Sequence, residues 1–194
     1  MKLELKIGLF GGSFDPVHLG HLLVAQAAIE ELGLDRLFFI PAALSPFKSE
    51  NEPAPHSVRL QLLRLALAGK TNYEVDDQEI MRGGVSYSIE TLRDYAKRFP
   101  KAELFYLIGA DNVAKLNEWR EANDLAKLAE FVAIPRPGVN AVEFPKPFRG
   151  RRLKGFPLDI SSSQIRARVK TGLPIDFLVP PSVAEAIHVA RLYV

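Results

Sequence analysis

The chain predicts a doubly wound α/β fold, a mostly parallel sheet with helices on both faces. Three observations carry this expectation. Short, nearly continuous apolar runs recur along the chain, as parallel strands buried on both faces require. Stretches of helical periodicity separate them, so strand and helix alternate. A length of 194 residues, with 47% hydrophobic and 25% charged content, suits one globular domain spanning residues 1–194.

The elements follow in order. Ile7–Phe10 reads as a strand, and after a glycine-rich turn Leu22–Leu32 reads as a helix. Leu37–Ile40 is a second strand. Val58–Leu67 is a helix that Ser57 can cap. Tyr73–Ile80 is a weaker strand candidate. Ile89–Arg98 is a helix with Ser88 as its cap and Pro100 as its stop, because proline cannot continue the hydrogen-bond ladder. Leu104–Ile108 is a strand, Val113–Leu128 a helix and Phe131–Ile134 a further strand. Pro135–Pro157, rich in Pro, Gly and basic residues, reads as an irregular excursion. Gln164–Lys170 is a helix with serines at its start, and Pro181-Ser182 precedes a last helix, Val183–Leu192.

Composition excludes several function classes. There is no cysteine, so disulfides, thiolate metal sites and cysteine nucleophiles are ruled out. A net charge of +2 is too small to argue for nucleic-acid or membrane binding. The Lys146–Lys154 cluster reads as a solvated loop; a role in a homo-oligomer interface stays open. The first six residues alternate charge and leucine and contain no signal peptide or membrane span, so a cytoplasmic location is expected.

The chemistry concentrates in Gly11-Gly12-Ser13-Phe14-Asp15-Pro16-Val17-His18-Leu19-Gly20-His21. A strand, a glycine turn and a helix start aim free N–H groups and the positive helix end at one point, which suits a phosphate. His18 and His21 are three apart and share one face of the first turn. A zinc-protease pair would instead need four-residue spacing with an intervening Glu, so protein-ligated metal is not expected. Gly20 is costly inside a helix and makes sense where something approaches the backbone. A second motif, Ile160-Ser161-Ser162-Ser163-Gln164-Ile165-Arg166, offers hydroxyls, helix N–H groups and a guanidinium, again suited to phosphate.

These two motifs resemble those of the His-x-Gly-His nucleotidyltransferase superfamily. Ser86-Tyr87-Ser88, Ile108-Gly109-Ala110-Asp111 followed by Trp119, and Arg136-Pro137-Gly138 are similar to one branch, the bacterial nicotinate mononucleotide adenylyltransferases. The resemblance implies a Rossmann-like nucleotidyltransferase fold and an enzyme that joins nicotinate mononucleotide to ATP. It further implies that His18 and His21 meet the ATP phosphates, with Lys48 neutralising the triphosphate and Arg166 and Ser162 holding its outer end. Gly11, Gly12, Ser13, Phe14 and Ile160 would line the ATP site, while Gly109 and Asp111 would receive the adenosine ribose. Trp119 would stack on the pyridine ring, and N–H groups around Tyr87 and Ser88 would meet the nicotinate carboxylate. Mg²⁺ would travel with ATP, largely hydrated. Phe47 stands where the family usually has a histidine before the lysine. A phosphopantetheine acceptor, nicotinamide mononucleotide as the acceptor, and a binding module without catalysis are the rival readings.

Overall fold

The computed structural model describes residues 4–44, 53–136, 138, 143–156 and 158–194. In chain order its elements are β1 (Lys6–Gly12), α1 (Leu19–Leu32), β2 (Arg36–Pro41), α2 (His56–Leu67), β3 (Tyr73–Val75), α3 (Gln78–Arg82), α4 (Ser88–Arg98) and β4 (Glu103–Gly109). A 3₁₀ helix, Ala110–Glu118, follows; then come α5 (Ala122–Leu128), β5 (Glu130–Ile134), β6 (Gly150–Arg152), α6 (Ser162–Lys170) and α7 (Pro181–Val189).

The six strands form one sheet in the order β3-β2-β1-β4-β5-β6, and every pairing is parallel. The chain runs outward from β1 to β3, then restarts on the other side at β4. The carboxyl ends of β1 and β4 therefore flank the point where the winding reverses, the place where such sheets open a crevice.

Alternation along each strand sorts the core into two layers. Leu37, Phe39, Phe105 and Leu107 face α1, α2, α6 and α7, which contribute Ala28, Leu62, Leu63, Ile165, Val183 and Ile187. Phe38, Ile40, Tyr106 and Ile108 face the other way, against Ile89, Leu92 and Tyr95 of α4 and Leu125 of α5. The period of two sends successive strand residues to opposite helical layers, which is why these strands read as unbroken apolar runs. Among the described residues no helix is long and apolar enough to cross a membrane.

Several boundaries differ from the sequence expectation. α1 starts at Leu19, so Gly20 lies in its first turn. α2 starts at His56 after Pro55, leaving Ser57 inside the helix and not at its cap. Ser88 is the first residue of α4 and follows the capping Tyr87; its hydroxyl pairs with the Tyr106 hydroxyl at 2.8 Å instead. The candidate strand Tyr73–Ile80 is β3 for three residues and then gives way to α3. The helix expected over Val113–Leu128 is two pieces, broken at Trp119, which is extended (φ −71, ψ 148), and at Glu121, which is left-handed (φ 54). α7 includes Pro181, which is tolerated at a helix start because its missing N–H would have no partner there. Within the Pro135–Pro157 excursion, Gly150–Arg152 forms the edge strand β6, with Arg151 paired to Glu130 of β5. Its three residues are all exposed, so no apolar run marked it.

Arg59 of α2 is only 1% exposed and fastens the region around the crevice. Its guanidinium donates to the carbonyls of Ser13 (2.8 Å), Ala42 (2.8 Å) and Ala54 (3.1 Å). Replacing it leaves three carbonyls short of a charged donor. Arg59→Met is expected to lower unfolding free energy by about 3 kcal/mol, read from urea denaturation at neutral pH. A loss below about 1 kcal/mol would show that those carbonyls find other donors.

Candidate active site

The site begins at the end of β1. Gly11 and Gly12 are in the strand and do not themselves form the turn. A Cβ on Gly11 would stand 3.1 Å from the Tyr106 hydroxyl, and one on Gly12 would stand 3.0 Å from the Phe14 ring. Their role is therefore to admit neighbouring side chains. The turn falls at Phe14, which is left-handed (φ 47), and at the cis Asp15–Pro16 bond. Phe14 is buried, edge-on to both Phe10 and His21, while Ser13 is exposed.

His18 caps α1 in an extended conformation (φ −143, ψ 171), and His21 is the third residue of the helix. Their rings stack with centroids 3.7 Å apart. A Cβ on Gly20 would sit 3.0 Å from the Cε1 and Nδ1 atoms of His18. The glycine thus makes room for the folded-back imidazole, a more local reason than ligand approach. The His18 backbone N–H donates to Nδ1 of His21 at 3.2 Å. A neutral His21 consequently carries its proton on Nε2 and is a donor there. His18 Nδ1 is buried and has no hydrogen-bond partner in the structure.

Both rings are poor bases. Burial lowers the His18 pKa from 6.5 to about 4. Burial also pushes His21 well below the ordinary histidine range, reinforced by His18 and by the Arg136 guanidinium. The imidazoles are neutral at pH 7 and desolvated. An arriving phosphate would reverse part of that effect, because opposite charge favours the protonated form.

The second motif packs directly on the first. The Ser162 hydroxyl donates to the Pro16 carbonyl at 2.9 Å, and Arg166 donates through Nη1 to the Asp15 carbonyl at 2.6 Å. Ser161 accepts from the Gln164 N–H (3.2 Å) and its own N–H donates to the Gln164 side chain (2.7 Å), a closed capping pair that starts α6 as the serines predicted. The Ile160 carbonyl lies near Gly20, 3.8 Å from where a Cβ would be. Residues 160–166 and 11–21 thus share one surface.

At the end of β4, Gly109 leaves space for an ion pair between Asp111 and Arg136, Oδ1 to Nε 3.3 Å. A Cβ on Gly109 would come within 3.4 Å of that guanidinium and within 2.5 Å of Asp111 Oδ1. Asp111 lies in the first turn of the 3₁₀ helix, which Gly109 caps, so a capping role for Asp111 is not realised. In the sequence Arg136 stands out only within the resembling segment Arg136-Pro137-Gly138. Its electrostatic reach to His21 makes it a member of the site, for which no spacing rule gave a signal.

A separate cleft of about 180 Å³ opens beside α4. Ser86, Tyr87, Ser88, Lys115, Glu118, Trp119, Arg120 and Leu125 line it. The indole of Trp119 stands edge-on to Tyr106 and Phe131, each 6.4 Å away. The break in the helix is what turns the indole there. Arg120 stacks over the Tyr87 ring at 4.6 Å. Ser86, buried, accepts the Ala43 N–H at 2.9 Å and so ties this cleft to the end of β2. Lys48 and Phe47 lie outside the described residues, as does Pro137.

Comparison with known proteins gives consistent neighbours. The model of the family described as cytidylyltransferase-like matches residues 9–168. A protein of Opitutus terrae named probable nicotinate-nucleotide adenylyltransferase is 42% identical over 192 residues, covering 97% of this chain and 98% of that one. A protein of Shouchella clausii with the same name is 40% identical, with 97% and 96% covered. Plasmodium falciparum nicotinic acid mononucleotide adenylyltransferase complexed with NaAD has the same fold, with a TM-score of 0.78 at 18% identity over 98% of both chains.

The buried neutral His18 has a consequence for stability. Between pH 6.5 and about 4 the unfolded chain holds a proton on this residue that the folded chain does not. Stability therefore falls as pH drops through that window, by about 3 kcal/mol for His18, and His21 adds in the same direction. Denaturant melts between pH 7 and 4 should show a shallower acid loss in His18→Asn than in the parent; parallel curves would contradict the burial of a neutral ring.

Proposed function

The chain belongs to the cytidylyltransferase-like family, and from that premise we propose how its residues join nicotinate mononucleotide to ATP. The products are nicotinate adenine dinucleotide and pyrophosphate, a step of NAD biosynthesis. The enzyme is a nucleotidyltransferase of the nicotinate-nucleotide adenylyltransferase kind. The single observation that carries the residue assignment is the junction between the two motifs: Arg166 and Ser162 donate to Asp15 and Pro16, within three residues of His18. A guanidinium, two imidazoles and a helix start converge there, and a triphosphate is the ligand that needs all of them.

The 5′-phosphate oxygen of the mononucleotide attacks the α-phosphorus of ATP in line, and pyrophosphate leaves. The nucleophile is already anionic, so no residue need remove a proton. The protein aligns the two phosphates and stabilises the charge that develops. His21 does so as an N–H donor through Nε2, its other nitrogen being held by the His18 backbone. His18, stacked on His21, offers a second imidazole beside it. Arg166 takes the outer phosphates with Ser162, and Lys48 adds charge. Gly11, Gly12, Ser13, Phe14 and Ile160 shape the ATP side. Asp111 meets the ribose beyond Gly109, and Arg136, paired with Asp111, adds a further cation.

Trp119 stacks on the pyridine, while Tyr87 and Ser88 present the amino end of α4 to its carboxylate. Enzymes of this class use a divalent metal; here Mg²⁺ enters as part of the substrate, held by the triphosphate and water. The reading makes the chain one nucleotidyltransferase domain acting in the cytoplasm.

The direct test is pyrophosphate release with ATP and each acceptor in turn, nicotinate mononucleotide, nicotinamide mononucleotide and phosphopantetheine. Highest turnover with nicotinate mononucleotide is expected; binding of ATP without turnover would overturn the assignment. His21→Ala should lower kcat by roughly 10²–10³, and activity within a few-fold of the parent would remove His21 from its role. Trp119→Ala should raise KM for the mononucleotide about threefold to tenfold and leave that for ATP near its original value. Equal rises in both would return the indole to core packing.

A further inference from the structure

Asp15 is the least explained charged residue beside the histidines. It is 4% exposed, yet the mechanism assigns its carboxylate no task. One oxygen, Oδ1, accepts the Tyr193 hydroxyl at 2.7 Å. The other, Oδ2, accepts the Ala54 N–H at 3.3 Å and lies 3.7 Å from Arg166 Nη1. Four segments therefore meet on one carboxylate: the first motif, the approach to α2, the second motif and the stretch after α7.

That last stretch reaches the site by an unusual path. Arg191 and Tyr193 are both left-handed, with φ 48 and 65. Neither is glycine, so each turn runs against the steric preference of an L-residue. Together they turn the chain back and deliver the phenol to Asp15.

The arrangement divides the duties of Arg166. Its Nη1 is spent on the Asp15 carbonyl, and among the described residues its Nη2 has only a long 3.4 Å contact with the Ser163 hydroxyl. The side chain remains 28% exposed. A carboxylate lacking one of its donors would draw in the nearest uncommitted cation. Arg59 is not available, since its donors serve three carbonyls. Arg166 is what remains, and a bidentate pair with Asp15 would turn its fork away from an incoming phosphate.

We infer that Tyr193 is a positioning residue: by saturating Asp15 it keeps the remaining donors of Arg166, beyond the Nη1 held by the Asp15 carbonyl, turned toward the triphosphate. This rests on the assignment of Arg166 to ATP. Burial, the bond to Asp15 and its negative charge raise the phenol's pKa, so it stays a donor throughout the working pH range.

The test is Tyr193→Phe, which removes one oxygen and keeps the ring. Pyrophosphate release is measured with each substrate varied in turn, well below each variant's melting temperature. KM for ATP should rise about fivefold to tenfold, with KM for nicotinate mononucleotide within about twofold. Adding Asp15→Asn removes the charge that captures Arg166, so the double variant should bring the ATP KM back toward the parent value. No change in the ATP KM of Tyr193→Phe, an equal rise in both constants, or no recovery in the double variant would each overturn the inference. Absence of turnover in the unmodified protein would instead overturn the function on which it rests.

Discussion

The histidine loop depends on two hydrogen bonds between distant parts of the chain. Arg166 reaches back 151 residues to the carbonyl of Asp15, and Ser162 reaches back 146 to that of Pro16. The carbonyls of this loop take their donors from elsewhere: Arg59 serves Ser13, and the second motif serves Asp15 and Pro16. The same side chains that would grip a nucleotide's phosphates thus hold the loop that presents the histidines. Binding and preorganisation are not separable here, and a lesion in α6 should be felt at α1 through geometry as well as charge.

The histidine pair illustrates how burial tunes a side chain. Desolvation is the leading cause of the depressed basicity at both rings, and at His21 the neighbouring His18 and the Arg136 charge reinforce it. The cost of burying them is modest because they remain uncharged, and the ring stacking at 3.7 Å replaces lost water contacts. Holding the proton of His21 at Nε2 requires only one backbone N–H. The pair is arranged before substrate arrives, which is what electrostatic stabilisation of a transient charge requires.

Much of this was legible in the chain, for definite reasons. β1, β2, β4 and β5 are buried on both faces, so apolar runs announced them. The two motifs announced the phosphate site because glycines, histidines, serines and an arginine at helix starts have few other uses together. What stayed hidden was anything set by partners far away. β6 is an exposed edge, recognisable only from its pairing with β5. Trp119 breaks a helix that periodicity alone would continue, because the indole packs beside Tyr106 and Phe131. Gly20 looked like a place for a ligand to approach, whereas its open side admits the ring of His18. Arg59 and Tyr193 carry no local pattern, and the motifs around Asp15 and Arg136 do not tell what those side chains pair with; their importance lies in contacts across the fold.

The broken helix between β4 and β5 separates two kinds of recognition. Residues from β1, α1 and α6 gather on the phosphate side, while Trp119 and its neighbours hang from a short irregular bridge off the sheet. The first turn of that bridge carries Asp111, paired with Arg136, so it belongs to the nucleotide side, while its far end at Trp119 shapes the acceptor cleft. A single run of ten residues after β4 thus touches both substrates, so a change at its start and a change at its end report on different halves of the reaction.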